Sequence, residues 1–200
     1  MLFIPDSLLA RASSSLLAHH AQPWLIAHSH RTFHFGMAAV RAVDGRVDPE
    51  LTFVAAMLHD VALDVVQCID RADDPLAAFQ DRGGAIAERL VTAAGRDGID
   101  ASIVHDAIAL HLDLATGSDP RPEVAAVHLG ALIDVLGWKR DTIPAAVIDE
   151  VLAEHPRMGM KAAVSAALAS EGRRHPNSRI TELIEQFSFL DLVAKAPYDE

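Results

Sequence analysis

The sequence has one cysteine and one tyrosine in 200 residues, and it carries fewer basic than acidic side chains. The single cysteine, Cys68, excludes an internal disulfide. The 17 Lys and Arg against 28 Asp and Glu give a formal net charge of −11. This balance argues against binding to nucleic acid through phosphates and against attraction to an anionic membrane surface. Polar residues interrupt the longest apolar runs, and the N-terminus lacks a basic leader, so we expect a cytoplasmic protein.

The hydrophobic pattern is helical almost throughout. Apolar residues make up 50% of the chain, alanine and leucine are abundant, and β-branched alternation is rare. We therefore predict one all-α domain over residues 1–200, in which a core at about 23–138 packs against C-terminal helices at 143–193. The predicted helices lie near 6–20, 23–43, 48–68, 74–94, 99–114, 121–138, 143–154, 158–171 and 177–193.

Short polar stretches indicate where several of these helices begin. "PDS" and "DPE" place Asp or Pro at helix starts, and "TGSDPRPE" is a break before another start. We find no internal repeat, no low-complexity segment and no linker that would divide the chain.

Histidine is the feature that points to chemistry, with eleven in the chain. A Gly-rich phosphate loop, a GxSxG elbow, an HExxH pair and a CxxC pair are all absent. In "AHSHRTFHFG", His28 and Arg31 share one helical face, while His30 and His34 share another. In "AAMLHDVALD", His59 and Asp60 stand in the middle of an apolar run, where unpaired polar groups cost several kcal/mol, on the order of 2–7 each.

Two further stripes carry polar groups on apolar faces. Val104, Ile108 and His111 form one of them. In the other, Val127, Gly130, Ala131 and Asp134 line up at i, i+3, i+4 and i+7, so Asp134 is expected to face the core. Gly130 and Ala131 would let a second helix approach closely.

Taken singly, each of these residues has an ordinary structural explanation. His28 is more often a hydrogen-bonded histidine than a ligand, and Asp134 is more often a buried acceptor. The remaining histidines with polar or terminal neighbours, namely His19, His20, His155 and His175, are expected to be solvated. Together, however, neutral His and anionic Asp on three apolar helices form a ligand set for a divalent metal ion.

Read in order, His28, His59–Asp60 and Asp134 resemble the H…HD…D signature of the HD-domain superfamily of metal-dependent hydrolases. "HSHR" is similar to the superfamily's opening "HSxR", and "AAMLHDVAL" to its central helix. The closer resemblance is to the cyanamide hydratase-like branch. It covers nearly the whole chain and is carried by "HSHRTFHFG", "LHDVALD", "AIALHLD", "HLGALIDVLG", "HPRMGMK" and "APYDE".

The resemblance implies an HD-type helical bundle that binds one divalent metal ion through His28, His59, Asp60 and Asp134. Zinc and iron suit a mixed His/Asp ligand set best, and manganese is a third candidate. The predicted catalytic residues are Asp60, His111 and Arg31. Asp60 is expected both to bind the metal and to contact the attacking water, and His111 to act beside the pocket or as a proton shuttle. Arg31 either orients the site or pairs with a carboxylate. The role of Asp64, one turn after Asp60, is left open in the same way.

The sequence also departs from the family. Ala62 and Leu63 replace the Gly-Lys that follows the HD pair in many HD phosphohydrolases. In "AFQDRGGA", Ala78, Gln80 and Arg82 replace the Arg, Glu and Asp of the hydratase-like branch, which argues against cyanamide itself as substrate.

Three functions remain open from the sequence. The leading one is hydration or hydrolysis of a small, mostly neutral, nitrile-like or amide-like substrate by a metal-activated water. The second is hydrolysis of a nucleotide or another phosphate ester, for which Arg31 and Arg82 are the obvious cations. The third is a non-catalytic binding module in which the metal is structural. An apolar chain of this kind could also bury a homodimer face.

Overall fold

The computed structural model describes residues 2–41, 46–63 and 77–200, and only the backbone of Arg41. Within these residues all regular structure is helical, which confirms the predicted all-α class. None of the helices described is both long and apolar enough to cross a membrane. The α-helices are α1 (Leu8–His20), α2 (Pro23–Arg41), α3 (Pro49–Leu58), α4 (Phe79–Ala93), α5 (Gly98–Ala109), α6 (Pro122–Leu136), α7 (Ala145–Glu154), α8 (Met160–Arg174), α9 (Arg179–Phe187) and α10 (Phe189–Ala194).

Parts of the sequence predictions fall outside the described residues. Asp64 and Cys68 lie there, as do the end of the predicted helix 23–43, the end of 48–68 and the start of 74–94.

The predicted helix starts carry the expected caps. The Ser7 side chain accepts from the third residue of α1, and Asp48 accepts from two amides of α3, whose first residue is Pro49. Helix α6 begins at Pro122, after the predicted break. It ends at Leu136 and is followed by Gly137, whose φ of 70° is the left-handed conformation typical of a helix C-terminus.

Helices α2 and α6 form the most extensively packed pair. Glycines allow their backbones to meet: a Cβ on Gly36 would overlap the carbonyl of Ala126, and a Cβ on Gly130 would overlap that of Thr32. The predicted close approach at Gly130 is therefore confirmed. This contact brings His28 of α2 next to Asp134 of α6.

The prediction of a single helix at 177–193 is wrong, because the helix is interrupted at Ser188. Ser188 has a φ of 51°, and its amide bonds back to Leu183. In one continuous helix Phe189 would lie about 180° around from Ile180, since nine residues at 100° each give two and a half turns. The break lets α9 and α10 bury both residues in the same core.

Candidate metal centre

Two site histidines lie just beyond helix ends. The predicted helices 48–68 and 99–114 are too long within the described residues, because α3 ends at Leu58 and α5 at Ala109. His59 Nδ1 donates to Ala56 O at 2.8 Å, and His111 Nδ1 donates to Ile108 O at 2.7 Å. Each ring therefore adds a hydrogen bond to a last-turn carbonyl, and the Ile108 carbonyl also accepts from the backbone N–H of His111 at 3.3 Å.

These two hydrogen bonds fix the ring tautomers. A carbonyl oxygen can only accept, so the proton lies on Nδ1 and the Nε2 lone pair of each neutral ring is available. Burial lowers the pKa of His59 to about 4, with the neighbouring Asp60 opposing that shift. His59 is therefore neutral at pH 7, as a metal ligand must be.

His28 reaches the same point from α2. Its Nδ1 donates to Asp134 Oδ2 at 2.6 Å, so its Nε2 faces the other way, toward His59 and Asp60. The two Nε2 atoms of His28 and His59 are 3.1 Å apart, and Asp60 Oδ2 lies 3.6 and 3.5 Å from them. The side chains of all three residues are almost completely buried.

The donor set fits a divalent ion. Ligand atoms about 2.0–2.1 Å from a tetrahedral ion are separated by about 3.4 Å, close to the three distances seen among these residues. Without an ion, the short distance between the nitrogens of His28 and His59 requires a proton, because two lone pairs would repel. Burial lowers the pKa of His28, but its hydrogen bonds to Asp134 and Asp60 outweigh this and raise the pKa overall. An ion between these groups would supply the same positive charge.

Asp134 is held on the far side of the His28 ring. Its two carboxylate oxygens accept from Arg31 Nε at 2.7 Å, Arg31 Nη2 at 3.0 Å and Arg157 Nη1 at 3.0 Å, besides His28. Burial alone would raise the pKa of Asp134, but Arg31 and His28 hold it well below its ordinary value. The carboxylate is therefore ionised and its charge is balanced locally.

The structure brings three of the four predicted metal ligands, His28, His59 and Asp60, into one group. The fourth, Asp134, touches the ring nitrogen of His28 that faces away from this group. Its role as a direct ligand stays a prediction.

The predicted catalytic residues divide into two sets. His111 lies beside Asp60, with its Nε2 3.6 Å from Oδ1. Burial would raise the pKa of Asp60, but the three histidines around it hold the pKa well below its ordinary value.

Arg31 is fully buried and pairs with Asp134, and it also donates to the carbonyls of His155 and Pro156. Of the two roles left open for Arg31, pairing with a carboxylate is the one observed.

Sequence reasoning missed Arg157 and His128. Arg157 lies in "HPRMGMK" and was given no role, yet its guanidinium holds Asp134 and also pairs with Glu200. His128 Nδ1 donates to His111 O at 2.8 Å and so fixes the backbone of that residue. The sequence signal for His128 was its position among apolar residues, beside the stripe that carries Asp134.

Two cavities that share lining residues lie at the site; we call the one lined by the metal-centre residues the inner cavity and the other the outer cavity. The inner cavity has a volume of about 30 Å³, and its wall includes His28, His59, Asp60 and His111. The outer cavity has a volume of about 350 Å³ and an almost entirely apolar wall, with His128 as its one polar side chain. Leu112, Leu132 and Phe189 line both cavities. Among the described residues that line either cavity there is no Lys or Arg.

A comparison with models of protein families found no match to the chain, and a search of curated proteins found none either.

Proposed function

We propose that this protein is a metal-dependent hydrolase or hydratase of the HD type that acts on a small, uncharged, nitrile-like or amide-like molecule. One observation carries the proposal. Two imidazole Nε2 atoms and one carboxylate oxygen converge in a small, buried chamber that shares lining residues with an apolar cavity.

The order of the residues along the chain supports the HD assignment. His28 comes first, the adjacent His59–Asp60 pair second, and Asp134 on a later helix third, as in the H…HD…D signature. Asp134 contacts His28 directly. It would hold the His28 ring in the orientation that binds metal, in a carboxylate–histidine–metal arrangement.

A bound divalent ion supplies Lewis acidity, which lowers the pKa of water and polarises an electrophilic carbon. Asp60 divides its two oxygens between tasks: Oδ2 faces His28 and His59, and Oδ1 faces His111. His111 keeps its Nε2 lone pair toward the chamber because Nδ1 donates to Ile108 O. It can therefore take a proton from the attacking water at Nε2 and return it to the product.

The walls of the cavities favour an uncharged substrate. A phosphate ester carries negative charge that cationic side chains usually balance, and none lines the two cavities among the described residues. Arg31 is occupied with Asp134, and Arg82 lies with Glu171 and His175. The inner cavity is large enough for about one water molecule, so the reacting group must be small, while the outer cavity suits an apolar substituent.

Turnover assays test this proposal. A panel of aliphatic nitriles, cyanamide, small amides and phosphate esters would be incubated with protein loaded with zinc, iron or manganese. We expect amide, urea or ammonia from a neutral substrate, and loss of that activity in His59→Ala but not in His19→Ala, whose side chain is exposed. Phosphate release would favour a phosphohydrolase. Bound metal without turnover of any compound would favour a structural metal, and full activity in His59→Ala would contradict the site.

A further inference from the structure

Three histidines form a second group on the other face of α2. His30 and His34 lie one turn apart on this helix, and His155 follows the last residue of α7. One ring nitrogen from each lies within 4.8 Å of those of the other two. The sequence prediction that His155 is solvated holds only in part, because the residue is half-buried and its ring stacks on that of His30 with centroids 4.5 Å apart.

Each of these rings has a nitrogen that is buried without a hydrogen-bond partner. The atoms are His30 Nδ1, His34 Nε2 and His155 Nε2. The His34 side chain is 7% exposed, so it is more than nine-tenths buried. Buried polar atoms in folded proteins nearly always have a partner, and three orphans in one cluster indicate an absent shared partner.

The protonation state of the rings suits a cation rather than an anion. Burial, together with the neighbouring His155, lowers the pKa of His34 to about 4. Burial and the nearby Arg31 also lower the pKa of His155. His34 and His155 are therefore neutral at pH 7 and offer lone pairs.

We propose that His30, His34 and His155 form a second binding site for a divalent transition-metal ion such as zinc, separate from the site at His59 and Asp60. Three neutral imidazoles, two of them at i and i+4 on one helix, are a ligand set that zinc, nickel and copper accept. The inference goes beyond the proposed function and does not rest on it.

Acidic side chains lie near the cluster. A cavity of about 250 Å³ has His34 and Glu150 in its wall. Glu150 favours positive charge at His34, and Glu154 favours it at His30.

The backbone of the third ligand, His155, is already fixed in position. Arg31 Nη1 donates to the backbone oxygen of His155 at 2.9 Å, which anchors this residue against α2. The rings of His30 and His155 are parallel, so they must turn about χ2 before their lone pairs share one target. This torsion has a broad energy profile, so the rings can reorient about it.

Metal stoichiometry tests the proposal. Full-length protein stripped with a chelator would be titrated with zinc by calorimetry, and the bound ion would be counted by elemental analysis after gel filtration. We expect two ions per chain for the unaltered protein, one for His34→Leu, one for His155→Ala and two for the exposed control His19→Ala. The remaining ion in His34→Leu and His155→Ala should bind with unchanged affinity.

Further variants separate this site from the first one. His59→Ala should lose one ion while keeping the other, and His59→Ala/His155→Ala should bind none. Cobalt in place of zinc gives a second readout, since the visible absorption of the His59→Ala variant would report only the three-histidine site. Because His155 is half-buried and follows a helix, His155→Ala and the milder His155→Asn are expected to stay folded by circular dichroism.

Equal stoichiometry and affinity in the unaltered protein, His34→Leu and His155→Ala would overturn the second site. Loss of an ion in these two variants together with no loss in His59→Ala would instead support the second site and contradict the first.

Discussion

Asp134 Oδ2 accepts the Nδ1–H of His28 at 2.6 Å, and this contact joins α6 to α2 at the base of the candidate metal centre. The hydrogen bond directs the Nε2 lone pair of His28 toward His59 and Asp60. One buried carboxylate therefore sets both the orientation of a ligand and the local charge balance with Arg31 and Arg157.

Asp134→Asn should weaken metal binding and destabilise the protein. The substitution keeps the shape but leaves the buried guanidinium of Arg31 without its counter-charge, while Arg157 keeps Glu200; breaking a buried pair in this way costs about 3–5 kcal/mol of the free energy of unfolding. Loss of a partner that orients a ligand typically lowers metal affinity about 10–100-fold. Chelator competition and urea denaturation would measure the two effects, with exposed Asp149→Asn as the control. Unchanged metal affinity would contradict the orienting role of Asp134.

Gly130→Ala should destabilise the protein more than Gly98→Ala. Its Cβ would overlap the backbone oxygen of Thr32, so α6 must move away from α2. Overpacking of this kind costs about 1–3 kcal/mol. A Cβ on Gly98, at the start of α5, meets nothing within 4 Å. We therefore expect Gly98→Ala to change thermal stability little, and equal melting temperatures for the two variants would be inconsistent with the packing.

Tyr198 should ionise at unusually high pH. Burial and the charge of Asp134 raise its pKa to about 12, against the opposing effect of Arg140 and Arg157. Because the folded pKa lies above the unfolded value of 10, the stabilisation is complete below pH 10 and is lost as the pH rises toward 12. A shift of this size corresponds to about 3 kcal/mol.

The chain has a single tyrosine, so absorbance at 295 nm reports Tyr198 alone. The midpoint should lie near pH 12 in buffer and near pH 10 in concentrated urea. A midpoint near 10 in both conditions would show that Tyr198 is not buried against Ile133, whose carbonyl its hydroxyl contacts.

Leu132→Trp should impair turnover by filling space where the two cavities share their wall. Leu132 lines both cavities, whereas Leu136, one turn later on α6, lines only the outer one. For any substrate that the panel identifies, we expect kcat/KM to fall roughly tenfold or more in Leu132→Trp and less in Leu136→Trp, with metal content unchanged in both. The reverse order would place the substrate route elsewhere.

The sequence predicts the helical class and most helix starts because these depend on local patterns: Asp48 and Pro49 cap and open a helix by themselves. It also predicts which residues meet at His59, since polar groups in apolar runs must find partners. Helix ends were harder to predict. The hydrophobic pattern does not indicate that α3 stops before His59. In the structure, the carbonyl of Ala56 in the last turn of α3 accepts a hydrogen bond from the His59 ring.

Long-range partners outside the His28, His59–Asp60 and Asp134 pattern could not be read from the sequence. Arg157 lies in a stretch that carries the resemblance, but nothing there identifies Asp134 as its partner, since the pairing depends on how the segment between α7 and α8 lies against the middle of α2. The polar neighbours of His155 in the sequence predict a solvated residue. Its burial comes from a helix more than a hundred residues away, as the 124-residue separation of the contact between Arg31 and His155 illustrates.

The most direct test of the central claim is the number of divalent ions bound per chain before and after removing His59. Elemental analysis would compare purified, metal-loaded protein with His59→Ala and with the exposed control His19→Ala, each checked for folding by circular dichroism. The account predicts that His59→Ala binds one ion fewer than the unaltered protein and that His19→Ala binds the same number. Equal ion counts in all three proteins would contradict a metal centre at His28, His59 and Asp60.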